Sequence, residues 1–177
     1  MEKELPVRKH PRLKGYDYSS NGAYHITMCV EGGHEMLGRI VGRDALGAPY
    51  IVELSEYGKI VHKEIEDTPS YYKNVFIDKF IVMPNHVHMI ILIAGDDGAP
   101  RASRPTTALI PRIIGIIKKK TNKIYGFDMW QTSYYDEIIR NEQAYRNIWQ
   151  YIDENPAKWV EDEHYKPNTG VTADFRL

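Results

Sequence analysis

The chain has a single cysteine, Cys29, among its 177 residues. No internal disulfide can form, and a closed zinc site built on several thiolates is excluded. One unpaired thiol in a strand-like run suits a reducing compartment, and a cytoplasmic location is expected. No apolar run approaches the roughly 20 residues needed to cross a bilayer, so no membrane partner is expected. The opening Met1-Glu2-Lys3-Glu4-Leu5-Pro6 has no apolar core of the kind a signal peptide needs. Excess charge is also missing: the formal net charge is −1, which excludes a uniformly basic nucleic-acid coat. Internal repeats and composition breaks are absent too. The reading is one domain over residues 1–177, with a basic arm at about 1–20, a core at about 21–160 and a tail at about 161–177.

The charge that is present is clustered. Arg8, Lys9, Arg12 and Lys14 form one basic group, and Lys118, Lys119, Lys120 and Lys123 form another. Local groups of this kind can hold phosphates in a neutral chain, although each also reads as a solvated face. Asp153, Glu154, Glu161, Asp162 and Glu163 gather the opposite sign near the end.

The order of elements follows from periodicity and turn residues. Gly22 to Val30 is rich in β-formers after a Ser-Ser-Asn-Gly turn and reads as a strand. Residues 36 to 54 hold short apolar pieces split by glycines and suggest a small hairpin. Ser55 then opens a helix with Tyr57, Ile60, Val61 and Ile65 on one face and Pro69 near its end. Val75 to Met83 and His86 to Ile93 are two apolar strands broken at Pro84-Asn85. Gly95 to Thr107 reads as a polar loop. Ile110, Ile113, Ile114, Ile117 and Ile124 recur at helical spacing over Ala108 to Tyr125, with the lysines opposite. Met129 to Ile139 reads as a fourth strand, and Asn141 opens a final helix to about Glu154. The sum is β-α-β-β-α-β plus one helix. That predicts an α+β fold of ferredoxin-like, split β-α-β type: an antiparallel sheet with two helices on one face, and an additional C-terminal helix beside the other.

Two constellations carry chemistry. Alternate residues of a strand share a face, so His86 and His88 project together while Val87 points away, and two such imidazoles can grip one metal ion. In the last helix Tyr145, Ile148, Trp149 and Ile152 form an apolar stripe, and Tyr151 and Asn155 fall together on its flank, one turn apart. A tyrosine there can be a nucleophile and an asparagine oxygen a hard ligand. From the residues alone, Tyr151 reads equally as packing, and Asn155, lying before Pro156, reads equally as a helix cap.

Met83-Pro84-Asn85-His86-Val87-His88 followed by an apolar strand resembles the HUH signature of single-tyrosine transposases. Tyr24-His25-Ile26-Thr27, Trp130-Gln131 and Tyr151-Ile152-Asp153-Glu154-Asn155-Pro156 are similar, more narrowly, to the REP-associated tyrosine transposases. The resemblance covers roughly residues 10 to 160 in the family's order.

The resemblance implies a metal-dependent transposase and endonuclease that nicks and rejoins single-stranded DNA at hairpin-forming repeats through a 5′-phosphotyrosine. It makes His86 and His88 metal ligands, Tyr151 the nucleophile with Tyr145 as fallback, and Asn155 a third ligand or polar group. Mg²⁺ or Mn²⁺ would be the cofactor. Single-stranded or hairpin DNA would be the partner, contacted by the two basic groups and by Tyr16 and Tyr18, in a nucleoid-associated protein that is monomeric or homodimeric. The leading alternative is a catalytically silent, transposase-derived hairpin binder. Other rivals are a zinc hydrolase using the same histidines and an RNA-binding module on the same fold.

Overall fold

The computed structural model describes residues 13, 15–42, 49–95 and 108–165. The arm residues Arg8, Lys9, Arg12 and Lys14, most of the Gly95 to Thr107 loop and the last part of the tail lie outside them.

In chain order the strands and helices are β1 Gly22–Cys29, β2 Gly38–Val41, β3 Ile51–Leu54, α1 Glu56–Glu66, α2 Thr68–Tyr71, β4 Val75–Val82, β5 His86–Ile93, α3 Leu109–Tyr125, β6 Tyr135–Ile139 and α4 Glu142–Glu154. A 3-10 turn over Asn155–Glu161 follows α4. The main sheet is antiparallel in the order β4-β5-β1-β6, and β2 and β3 pair separately as the expected hairpin. This is the ferredoxin-like arrangement predicted from the element order.

The strand period of two divides the sheet's side chains between two layers. Tyr24, Ile26 and Met28 of β1 and Val87, Met89 and Ile91 of β5 belong to the main core with Val61 and Ile65 of α1 and Ile110, Ile113, Ile114 and Ile117 of α3. The opposite face carries His25 and Thr27 of β1 and His86, His88 and Ile90 of β5. There Ile90 and Ile139 pack with Ile152 of α4 in a smaller cluster. α1 starts where expected, because Ser55 Oγ accepts from the Gly58 amide and caps it. Asn141 does the same for α4 through the Ala144 amide.

Three expectations need correction. The fourth strand is shorter than Met129 to Ile139: β6 starts at Tyr135, and upstream only Trp130 makes an isolated bridge, to Val30. The Lys118 ammonium explains why, since it donates to the Gln131 and Ser133 carbonyls at 2.6 and 2.8 Å and replaces strand partners there. Ile124 leaves the buried face of α3 and is 55% exposed, because the helix ends in a left-handed Gly126 cap one residue after Tyr125. Trp149 is exposed rather than part of the α4 stripe; the Lys79 ammonium sits 3.8 Å above its ring. Among the described residues no helix is long and apolar enough to cross a membrane.

Candidate active site

β5 starts immediately after the Pro84-Asn85 turn, so His86 and His88 lie at the strand's first and third positions on the face toward α4. Both are buried. The turn itself orients them. Asn85 Nδ2 donates to the Gly33 and His164 carbonyls at 3.1 and 2.8 Å, which fixes the amide's orientation. Its Oδ1 then faces His86 Nδ1 at 2.9 Å. An amide oxygen only accepts, so Nδ1 carries the proton and Nε2 is left with a lone pair. That Nε2 is buried and without a partner among the described residues.

His88 is held on one side by Thr27, whose Oγ1 lies 2.9 Å from Nδ1. On the other side the Tyr151 hydroxyl lies 3.3 Å from Nε2. Tyr151 projects from α4, and its hydroxyl also donates to Asp162 Oδ2 at 3.2 Å. Asp162 follows the 3-10 turn, which reverses the chain and returns it to the histidines. The same carboxylate accepts from Asn155 Nδ2 at 3.0 Å and, through Oδ1, from the His164 amide at 2.7 Å. One ligand atom each from His86, His88 and Asp162 lie within 4.8 Å of one another.

The donor set fits a divalent ion. Burial lowers His86 to about 3, with His164 adding to the effect and Asp162 opposing it. Burial also takes His88 well below its ordinary value, helped by His86, His25 and His164. Both rings are therefore neutral, the form that ligates metal. Each also has a second partner of the kind that orients metal-bound imidazoles, Asn85 for His86 and Thr27 for His88. The phenol of Tyr151 is pushed above its ordinary value by burial first and by Asp162 second, with the Asn155 amide pulling the other way.

Asn155 does not cap the turn: it is the turn's first residue, after Glu154 in the cap position, and its Oδ1 is buried without a partner among the described residues. Tyr145, the fallback nucleophile, is less exposed than Tyr151, and its hydroxyl donates to Asp78 at a bulge in β4, away from the histidines. Of the second basic group, Lys118 holds the loop carbonyls, and Lys120 pairs with Glu64 and the Tyr71 hydroxyl at 2.9 and 2.8 Å. Lys119 and Lys123 line an open cleft of about 650 Å³ with Asn122 and Phe127. Tyr18 is a core residue, 6% exposed, which leaves no room for a base to stack on it. Sequence reasoning missed Asp162, His164, Asn85 and Thr27 as site residues. Asn85 and Thr27 stood inside quoted motifs without a role, whereas Asp162 looked like one more solvated acid.

No family model matches the sequence. An uncharacterized protein of Haemophilus influenzae is 34% identical over 176 residues, covering 89% of this chain and 93% of that one. The chain belongs to the same family as that protein. Among solved structures, a REP-associated tyrosine transposase bound to a REP hairpin superposes with a TM-score of 0.55 at 19% identity, over 88% of this chain and 74% of that one. A candidate transposase of Deinococcus radiodurans matches at a TM-score of 0.44 and 16% identity, over 82% and 97%. The first of these likenesses shows the fold: this chain shares the sheet and helix framework of a tyrosine transposase.

Proposed function

We propose that this protein is a metal-dependent DNA strand transferase that nicks and rejoins single-stranded DNA beside a hairpin, with Tyr151 as nucleophile. The carrying observation is the Tyr151 hydroxyl 3.3 Å from His88 Nε2, beside an unpartnered His86 Nε2 and the Asp162 carboxylate. The framework shared with a hairpin-bound tyrosine transposase supports the same reading.

His86, His88 and Asp162 would hold Mg²⁺ or Mn²⁺, with Asn155 Oδ1 close enough in sequence and burial to complete the shell. The bound ion supplies Lewis-acid polarisation of the scissile phosphate and neutralises charge developing on it. The protein's part is placement. α4 carries the phenol to the ligand cluster, and the buried sheet beneath keeps the imidazoles from moving. Attack of the Tyr151 oxygen on phosphorus forms a 5′-phosphotyrosine and expels a 3′-hydroxyl. Attack by another 3′-hydroxyl on that bond reverses the step and joins strands without an added energy source. An ordinary phenol has a pKa of about 10 and is a weak nucleophile at neutral pH, so its surroundings must assist. Lys119 and Lys123, with Phe127 beside them, are the phosphate and base contacts left free by the pairing of Lys118 and Lys120.

The test is a covalent-adduct assay on labelled hairpin DNA with a single-stranded flank, in Mn²⁺ and in chelator. The expected adduct is metal-dependent, absent in Tyr151→Phe and present in Tyr145→Phe. Hairpin binding without any adduct would replace this reading with the silent hairpin binder.

A further inference from the structure

Tyr151 and a metal ion need the same atom. As a carboxylate, Asp162 only accepts, so the phenol's proton points to Oδ2 and its oxygen takes the hydrogen bond of His88 Nε2. Thr27 Oγ1 then donates to His88 Nδ1. When His88 Nε2 and Asp162 turn to an ion, Thr27 can accept from Nδ1 instead, since a hydroxyl serves in either sense. The phenol loses both of these roles together, donor to Asp162 and acceptor from His88, and the Asn155 amide beside it is a donor that offers its proton no acceptor.

A third buried histidine lies next to this pair. His25 is on β1, opposite Ile90 of β5 and Glu137 of β6, on the same face as Thr27. Its ring centroid is 5.3 Å from that of His88 and 6.3 Å from that of Tyr151, against 5.1 Å between His88 and Tyr151. Its Nε2 is buried and without a hydrogen-bond partner among the described residues. A buried polar atom with no partner is unfavourable, and an apolar ring would fill the same space without that cost. Three such atoms meet in this site: His86 Nε2, Asn155 Oδ1 and His25 Nε2. An ion on the ligand cluster accounts for the first, and the second lies one helical turn from Tyr151 beside Asp162. The third belongs to a ring set edge-on to that of Tyr151, with an interplanar angle of 78°.

We propose that His25 is the second resting place of the Tyr151 hydroxyl: its Nε2 accepts the phenol's hydrogen bond once His88 and Asp162 are committed to a divalent ion. His25 is thus a positioning residue, acting on the nucleophile and not on the DNA. The inference rests on the metal-dependent reading above, and its first test needs no DNA and no turnover.

The full chain is prepared with 3-fluorotyrosine at position 151, as wild type and as His25→Phe and His25→Gln. Addition of Mg²⁺ is expected to shift the wild-type fluorine resonance. His25→Phe should change the Mg²⁺-loaded resonance while leaving the metal-free one in place, and His25→Gln, which keeps an acceptor, should restore part of the shift. In parallel, calorimetry with Mn²⁺ alone should show Tyr151→Phe binding about three- to tenfold tighter than wild type, because the net loss of one phenol hydrogen bond, two broken at His88 and Asp162 against one formed at His25, is avoided. A Mg²⁺-loaded resonance unaffected by His25→Phe overturns the role of His25. Tyr151→Phe affinity equal to or below wild type overturns the competition, whether or not the adduct forms. Should His25→Phe fail to fold, His25→Leu, which also removes the acceptor, takes its place in the fluorine measurement with the same two outcomes. Failure of the adduct assay with these shifts intact would count against the strand-transfer reading alone.

Discussion

Replacing Asn85 with alanine should destabilise the protein and loosen the proposed metal site at once. Asn85 is 1% exposed and makes three hydrogen bonds, to the Gly33 and His164 carbonyls and to His86 Nδ1. At about 1 kcal/mol net per bond, plus a share of the penalty for leaving buried groups dry, the loss should be about 3–4 kcal/mol. For a chain of this size that corresponds to a fall in Tm of about 7–14 °C. Releasing His86 Nδ1 also frees the ring to adopt the wrong tautomer, and Mn²⁺ affinity should fall about 10–100-fold. Asn85→Asp separates the two effects. It keeps an oxygen for His86 but loses both donors and sets a carboxylate oxygen against two carbonyls. It should be at least as unstable as Asn85→Ala, yet bind Mn²⁺ closer to wild type. Thermal melts and calorimetry measure both quantities. A melt of Asn85→Ala within about 2 °C of wild type, or equal loss of Mn²⁺ affinity in both variants, would refute the reasoning.

Further outcomes are expected from the packing and the charges. Gly58→Ala should cost several kcal/mol, on the order of 3 or more, since the new Cβ would lie 1.9 Å from the Leu37 carbonyl oxygen. Gly115→Ala in α3, where nothing lies within 4 Å, should instead stabilise by about 0.5–1 kcal/mol. Urea denaturation of the pair tests both signs. Lys118→Met should lower stability by about 1–3 kcal/mol, because the Gln131 and Ser133 carbonyls lose their donor, and should leave DNA binding nearly unchanged. Lys119→Ala and Lys123→Ala should each weaken hairpin binding and reduce its salt slope by about one, with stability unaffected; gel shifts at several salt concentrations would show the opposite pattern if Lys118 were the contact.

How far the sequence could be read varies from element to element. The strands around Pro84-Asn85 and the helix over Leu109–Tyr125 were legible because their apolar periods are long and uninterrupted. The start of β6 was not, because Trp130 is β-prone by type yet buries its ring against α3, donating Nε1–H to Thr121. The lysine run looked uniform along the chain. Folding set Lys118 on loop carbonyls and Lys120 on Glu64, leaving Lys119 and Lys123 along a cleft.

What the sequence determined by itself was the local geometry: a period of two that sets His86 beside His88, and a period of 3.6 that sets Tyr151 one turn from Asn155. Those relations follow from covalent geometry and survive any packing that keeps strand and helix. Only the tertiary structure decided which phenol meets the imidazoles, since Tyr145 and Tyr151 share α4 and differ in the neighbour each faces, Asp78 or His88. It also decided that Asp162, 74 residues beyond His88 in the numbering, returns to the same site. A carboxylate after a turn carries no periodic signal. Its partners are chosen by where the 3-10 turn redirects the chain, and that depends on the packing of Trp159 and Pro156 against the sheet.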